Sequence, residues 1–189
     1  AHVHKMQGNY HRAERFYRKA LDGRKRQLGE HHPDTLEGMT NLAILLDEQD
    51  KSEEAEQLYR LALQGRKMTL GEHHEDTLRS MSNLAILLHG QGQANATEAE
   101  LLSREALQGR RVKLGNVHPD TLVSMNNLAV LLDAKDQVEE AEKLYRECVE
   151  GRISTLGIDH PKTLQAINNL TAFLDRQRLS SSQSQEAIQ

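Results

Sequence analysis

Apolar residues recur along this chain at three- and four-residue spacing, in blocks separated by short polar turns. Ala13, Phe16, Tyr17, Ala20 and Leu21 form one block. Leu36, Met39, Leu42, Ala43 and Leu46 form the next, and Ala55, Leu58, Tyr59, Ala62 and Leu63 a third. Each block predicts one buried face of a helix. The pattern gives a helix stub over 1–7, a turn at Gly8-Asn9 and a helix over 10–28. Helix pairs follow within 34–70, 76–114 and 119–156, then a last helix over 161–176. Residues 179–189 are polar and Ser/Gln-rich, and are expected to fray or to begin a further repeat.

The punctuation between blocks is regular. Leu-Gly pairs fall at 28–29, 70–71, 114–115 and 156–157, in steps of 42, 44 and 42 residues. A glycine just past a helix predicts a left-handed C′ residue. Pro33 and Asp34 suit a first helical turn, and Ser52 is a candidate N-cap ahead of Glu53 and Glu54. The two extra residues of the 44-residue step fall in the Gly90–Ala96 stretch, where an exposed turn can take them without disturbing either helix. A period of this length predicts a solenoid. The fold class expected is an all-α solenoid of antiparallel helix pairs, with about 3.5–4 repeats of 42–44 residues.

Composition narrows the function. Aromatics are 3% and Trp is absent, so Leu and Ala must do the packing. A net charge of −4 offers no basic footprint, so no nucleic acid is expected as a partner. No apolar run approaches the roughly 20 residues that span a bilayer, so no membrane insertion is expected. The single Cys148 fits a reducing compartment, and a cytoplasmic location is the expectation. Shifting by one period aligns Gly8 with Asp50 (50 − 42 = 8), so residues 1–7 match the end of a helix whose start is missing. The chain reads as a piece of a longer array, whose truncated ends offer further contacts.

Leu42-Ala43, Leu46, Ala55, Tyr59 and Ala62 stand at the spacing of a known signature. With the HPDTL lead-in, the NLA core and the LG ending, the chain resembles the tetratricopeptide repeat of the kinesin-light-chain type over about residues 1–178. Some copies depart from the pattern, with Glu75 for proline, Ser103 for the aromatic, Lys162 for Asp and Thr171 for Ala. The resemblance implies that the all-α fold is a right-handed α-solenoid, and that the chain is a protein–protein interaction module in which first-type helices line a concave groove that holds an extended peptide segment of a partner.

Asn41, Asn83, Asn127 and Asn169 recur at one register of the first-type helices. A carboxamide has two donors and two acceptors, so it can hold a peptide backbone whatever its sequence. Related repeats grip ligand backbone with an asparagine at the matching place. Bonding to a neighbouring helix is the other reading. Glu37 and Ile44 share a face with Asn41, as Arg79 and Ile86 do with Asn83. Thr40, Ser82, Asn126 and Asn168 sit one residue earlier and widen the polar strip. These residues form the candidate peptide-binding groove.

On the second-type helices, Glu14/Arg18, Glu56/Arg60, Glu100/Arg104 and Glu142/Arg146 are stabilising i, i+4 pairs. Arg24, Arg66, Arg110 and Arg152 each follow a glycine, at Gly23, Gly65, Gly109 and Gly151. A recurrent helical glycine predicts close helix approach, and the arginine is expected to reach a carboxylate or a loop carbonyl next door. His32, His74, His118 and His160 are spaced about a repeat apart, too far to share a zinc ion, and are expected to bond the turn backbone. No metal or cofactor is expected. GxSxG, Walker, HExxH and CxxC motifs are absent, and Cys148 takes a buried small-residue position shared with Ala62 and Ala106, so an enzyme is not expected. The identity of the partner is not encoded here. Two rival readings stand beside peptide capture: a structural subunit or spacer held by its outer face or terminal repeats, and an accessory domain of an enzyme whose catalytic part lies elsewhere.

Overall fold

The computed structural model describes the backbone of residues 2–186 and the side chains of residues 9–179. Eight α-helices and no strand occur among the described residues: α1 (His2–Leu28), α2 (Pro33–Asp47), α3 (Ser52–Leu70), α4 (Glu75–Gly90), α5 (Ala96–Leu114), α6 (Pro119–Asp133), α7 (Val138–Leu156) and α8 (Pro161–Glu186). The chain forms two compact units, Ala1–Leu102 and Ser103–Gln189, divided inside α5.

In the first unit α2 and α3 pair as a hairpin, α1 packs on α2, and α3 packs on α4. Leu36, Met39, Ala43 and Leu46 of α2 are buried with Ala55, Tyr59 and Ala62 of α3. In the second unit α6 and α7 repeat the hairpin and α8 packs on α7. Its core joins Leu122, Met125 and Leu132 to Tyr145, Cys148 and Phe173. The Tyr145 and Phe173 rings lie tilted with centroids 5.4 Å apart. Leucines and alanines fill both cores, as the stripe spacing requires.

Every first-type helix starts on a histidine. The Nδ1 of His32, His74 and His118 accepts the backbone N–H of Asp34, Asp76 and Asp120 at 3.2 Å, and that of His160 accepts from Lys162 at 3.1 Å. Each imidazole thus occupies an N-cap, satisfying one donor that the first turn leaves open. This agrees with the expected bond to the turn backbone. Gly71 and Gly157 close the second-type helices at φ +88 and +84, yet with ψ 165 and 163. That is an extended mirror-image conformation open essentially to glycine alone, and not the left-handed helical one expected. The return turns use aspartate at positive φ, Asp50 at 60° and Asp136 at 55°. The two-residue insertion is taken up by Gly92 at φ +102 and a short 3-10 turn over Gln93–Asn95.

Four expectations need correction. α1 runs unbroken through Gly8-Asn9, because a lone glycine costs a helix only about 1 kcal/mol and permits a turn without imposing one. α8 continues to Glu186 in place of ending near 176, since no Gly or Pro interrupts it. Ser52 is the first helical residue, while Lys51 holds the cap position and makes no side-chain cap bond. Of the α1 stripe Leu21 is buried and Ala13 half-buried, while Phe16, Tyr17 and Ala20 are exposed.

The expected glutamate–arginine pairs also reach further than one helix. Arg18 bonds Glu14 at 2.8 Å and Glu54 of α3 at 2.8 Å; Arg60 bonds Glu56 at 2.8 Å and Glu98 of α5 at 2.6 Å. Arg104 in turn bonds Glu140 of α7 at 2.8 Å. α1 is tied to α3, and α3 to α5, by an arginine shared between two carboxylates. Lys51 and Arg18 hold Glu14 down to about 2, and Arg18 and Arg60 lower Glu54 and Glu98. A carboxylate held below its unfolded value stabilises the fold above that value and ceases to do so as pH falls toward the folded one. The melting temperature is therefore expected to fall between pH 5 and pH 2, and Glu14→Gln to flatten that slope in calorimetry. Each exposed pair contributes no more than about 1 kcal/mol.

Candidate interaction surface

The register that begins at the capping histidine places one face of each first-type helix away from its hairpin partner. Nine residues beyond His32 stands Asn41, with Glu37 one turn before and Ile44 one turn after. Asn41, Asn83 and Asn127 are all half-buried, and their carboxamides make no hydrogen bond within the described residues. Ile44 and Ile86 beside them are exposed. Three of the four asparagines therefore present unspent donors and acceptors next to apolar surface. Asn169 differs, since its Nδ2 donates to Oδ1 of Asn126 on α6 at 2.8 Å. For that pair the neighbouring-helix reading holds.

The row one residue earlier is less uniform than its spacing promised. Thr40 is buried, with its Oγ donating to the Leu36 carbonyl at 3.0 Å and accepting from Arg66 at 3.0 Å. It is inside the fold and cannot line a surface, because the buried guanidinium draws it in. The Ser82 hydroxyl is half-buried and donates to the Leu78 carbonyl at 3.1 Å. Asn126 holds Asn169, and Asn168 is exposed.

Charge on the strip is paired. The Glu37 carboxylate accepts from Arg66 at 2.7 Å and from Arg79 at 3.1 Å, and Arg79 also bridges to Asp76 at 2.9 Å. Arg66 is buried and additionally donates to Ser80 at 2.6 Å. Burial pulls its guanidinium below the ordinary value while Glu37 holds it up. The recurrent arginines behave alike: Arg24 donates to the Asp34 carbonyl at 3.0 Å, Arg152 to that of Lys162, and Arg110 to the Ser124 hydroxyl. They act as internal braces between a second-type helix and the first-type helix that follows. In the second unit the places of Glu37 and Arg79 are taken by Val123, and those of Ile44 and Ile86 by Val130, both exposed. Sequence reasoning omitted these valines, although adding the 44-residue step to 79 and 86 gives their numbers.

Among the described residues no group of three or more His, Cys, Asp or Glu is placed to hold a metal ion. No helix there is long and apolar enough to cross a membrane. Burial pushes the Cys148 thiol up, and its Sγ lies 3.3 Å from the Leu122 carbonyl, the setting of a packing residue and not of a nucleophile.

Stacked helical hairpins with an unspent polar face define a repeat scaffold that binds other proteins. The chain belongs to the tetratricopeptide repeat family, whose repeats match residues 1–68, 77–120 and 121–162. Among solved structures it is similar to BtubC (BKLC) from P. vanneervenii, at 25% identity and a TM-score of 0.78 over 90% of this chain and 67% of that one. It is also similar in fold to a variant of a Podosopora anserina putative kinesin light chain with nearly identical TPR-like repeats. There the identity is 23% and the TM-score 0.80, over 99% of this chain and 88% of that one. Among curated proteins none matches it in sequence. The family is one of interaction scaffolds with protein partners, and its fold is not that of an enzyme.

Proposed function

We propose that the chain captures an extended segment of a partner protein along the asparagine face of its first-type helices, as a kinesin-light-chain-like adaptor or scaffold working in the cytoplasm. The observation that carries this reading is the set of carboxamides at Asn41, Asn83 and Asn127, half-buried, unbonded and flanked by exposed aliphatic side chains. An asparagine in a helix interior costs propensity, and here nothing inside the fold repays it. A ligand backbone supplies the missing partners, while Ile44 and Ile86 in the first unit, and Val123 and Val130 in the second, each offer apolar ground to its side chains. The paired charges of Glu37 and Arg79 leave the first unit's strip near neutral, which suits a segment of low charge.

The double substitution Asn83→Ala and Asn127→Ala tests it. Binding to peptides selected from a random displayed library is expected to weaken about tenfold or more, at roughly 1 kcal/mol per lost hydrogen bond. Circular dichroism should keep its helical form and melting should not fall, because neither side chain contributes a bond to the fold and alanine is the better helix former. Unaltered affinity in a correctly folded double variant would falsify the mechanism.

A further inference from the structure

The four capping histidines are built alike but do not share the same neighbour. Each accepts, on Nδ1, the backbone N–H two residues further on, and each is half-buried. At three corners that second residue is an aspartate whose carboxylate lies close to the same ring nitrogen. The separation is 3.9 Å from His32 to Asp34, 3.7 Å from His74 to Asp76 and 3.8 Å from His118 to Asp120. At the fourth corner the second residue is Lys162. Among the described residues His160 makes no ion pair with any carboxylate, Asp159 before it included. The difference lies in residue 162 itself, since the four rings are equally half-buried.

An imidazole that gains a proton donates from both nitrogens and can no longer accept. Three corners have a second arrangement at hand. The charged ring of His32, His74 or His118 turns its new N–H to the aspartate carboxylate, exchanging a neutral bond for a charge-assisted one. His160 has no such exchange. Its proton is set beside the Lys162 ammonium and the positive end of α8, and from α7 the Arg152 guanidinium reaches the Lys162 carbonyl. α6 also meets α8, but further along, through Asn126 at Asn169 and Asp133 at Arg176. We propose that the α7–α8 corner is an acid-sensitive joint: a proton on His160 opens the first turn of α8, while the aspartate-backed corners of α2, α4 and α6 stay closed. Arg152 is buried and donates to the Lys162 carbonyl, and the buried Thr163 hydroxyl donates to the Arg152 carbonyl at 3.4 Å. Both bonds knit that turn to α7, so its opening loosens the hold of α7 on α8. The neutral ring is the one that caps, so the tie is present at neutral pH and lost as pH falls.

Amide hydrogen exchange of the full 189-residue chain, read residue by residue by NMR near pH 7.5 and near pH 5.5, tests the joint. Rates are divided by the intrinsic rate at each pH, and both conditions lie above the range in which the bridged glutamates lose their charge. Protection of the Lys162, Thr163 and Leu164 amides is expected to fall about fivefold at the lower pH, the factor that loss of one cap gives. Protection at Asp34, Asp76 and Asp120 should hold. Lys162→Asp supplies the missing carboxylate and should abolish the fall. His160→Asn caps without titrating and should abolish it too. No fall at Lys162, or an equal fall at all four corners, overturns the proposal. So does a fall that persists in either variant.

Discussion

Replacing Arg66 by alanine is expected to lower the stability of the first unit by about 3 kcal/mol, the largest loss of any single polar truncation here. The side chain threads between three elements: it rises from α3, meets Thr40 and Glu37 on α2, and ends at Ser80 on α4. Truncation empties the volume of its stem and leaves two buried hydroxyls short of a donor. Glu37 loses less, because it is half exposed and keeps Arg79. Arg66→Lys should recover only part of the loss, as one ammonium cannot span two hydroxyls and a carboxylate. Arg66→Met should recover more, to within about 1 kcal/mol, since it keeps the packing and removes a charge that was costly to desolvate. Denaturant midpoints of the three variants rank these contributions. An alanine variant no less stable than methionine would show that the volume is not filled by Arg66.

The glycines that precede these arginines should split into two kinds under the same substitution. Gly65→Ala and Gly151→Ala each gain about 1 kcal/mol of helix propensity, but each forces a Cβ into a fully buried leucine. Overpacking of that kind costs about 1–3 kcal/mol, so the gain is cancelled and a net loss of up to about 2 kcal/mol is expected. Gly23→Ala meets nothing within 4 Å and should keep the gain. Thermal melts of dilute samples check the sign. A stabilising Gly65→Ala would mean that the α2–α3 approach is looser than its geometry states.

These residues also mark how far the sequence could be read. The period, the hairpins, the histidine turns and the close approach at Gly65 and Gly151 follow from spacing, because the same neighbours return in every repeat. What spacing cannot convey is whether a neighbour is there. Gly23 and Phe16 carry the pattern of buried positions, yet stand open among the described residues. Register alone groups Thr40 with Ser82 and Asn126; the path of a long arginine from another helix shows it to be interior. The ties from Arg18 to Glu54 and from Arg60 to Glu98 are not legible in the spacing, because a local i, i+4 partner already accounts for each arginine. The candidate strip was legible at its asparagines, whose cost in a helix asks for a reason, and illegible at Val123 and Val130, which resemble ordinary core residues until their exposure is seen.

The corner between α4 and α5 has a practical meaning. Gly92 and its 3-10 turn lodge two surplus residues while Leu84 and Ala99 on either side keep the burial seen in the other repeats. Chain length at that bend is thus decoupled from the lattice of packed side chains, and a fluorescent tag or an added binding loop could be spliced there as a passenger, with the rest of the array carrying it unperturbed.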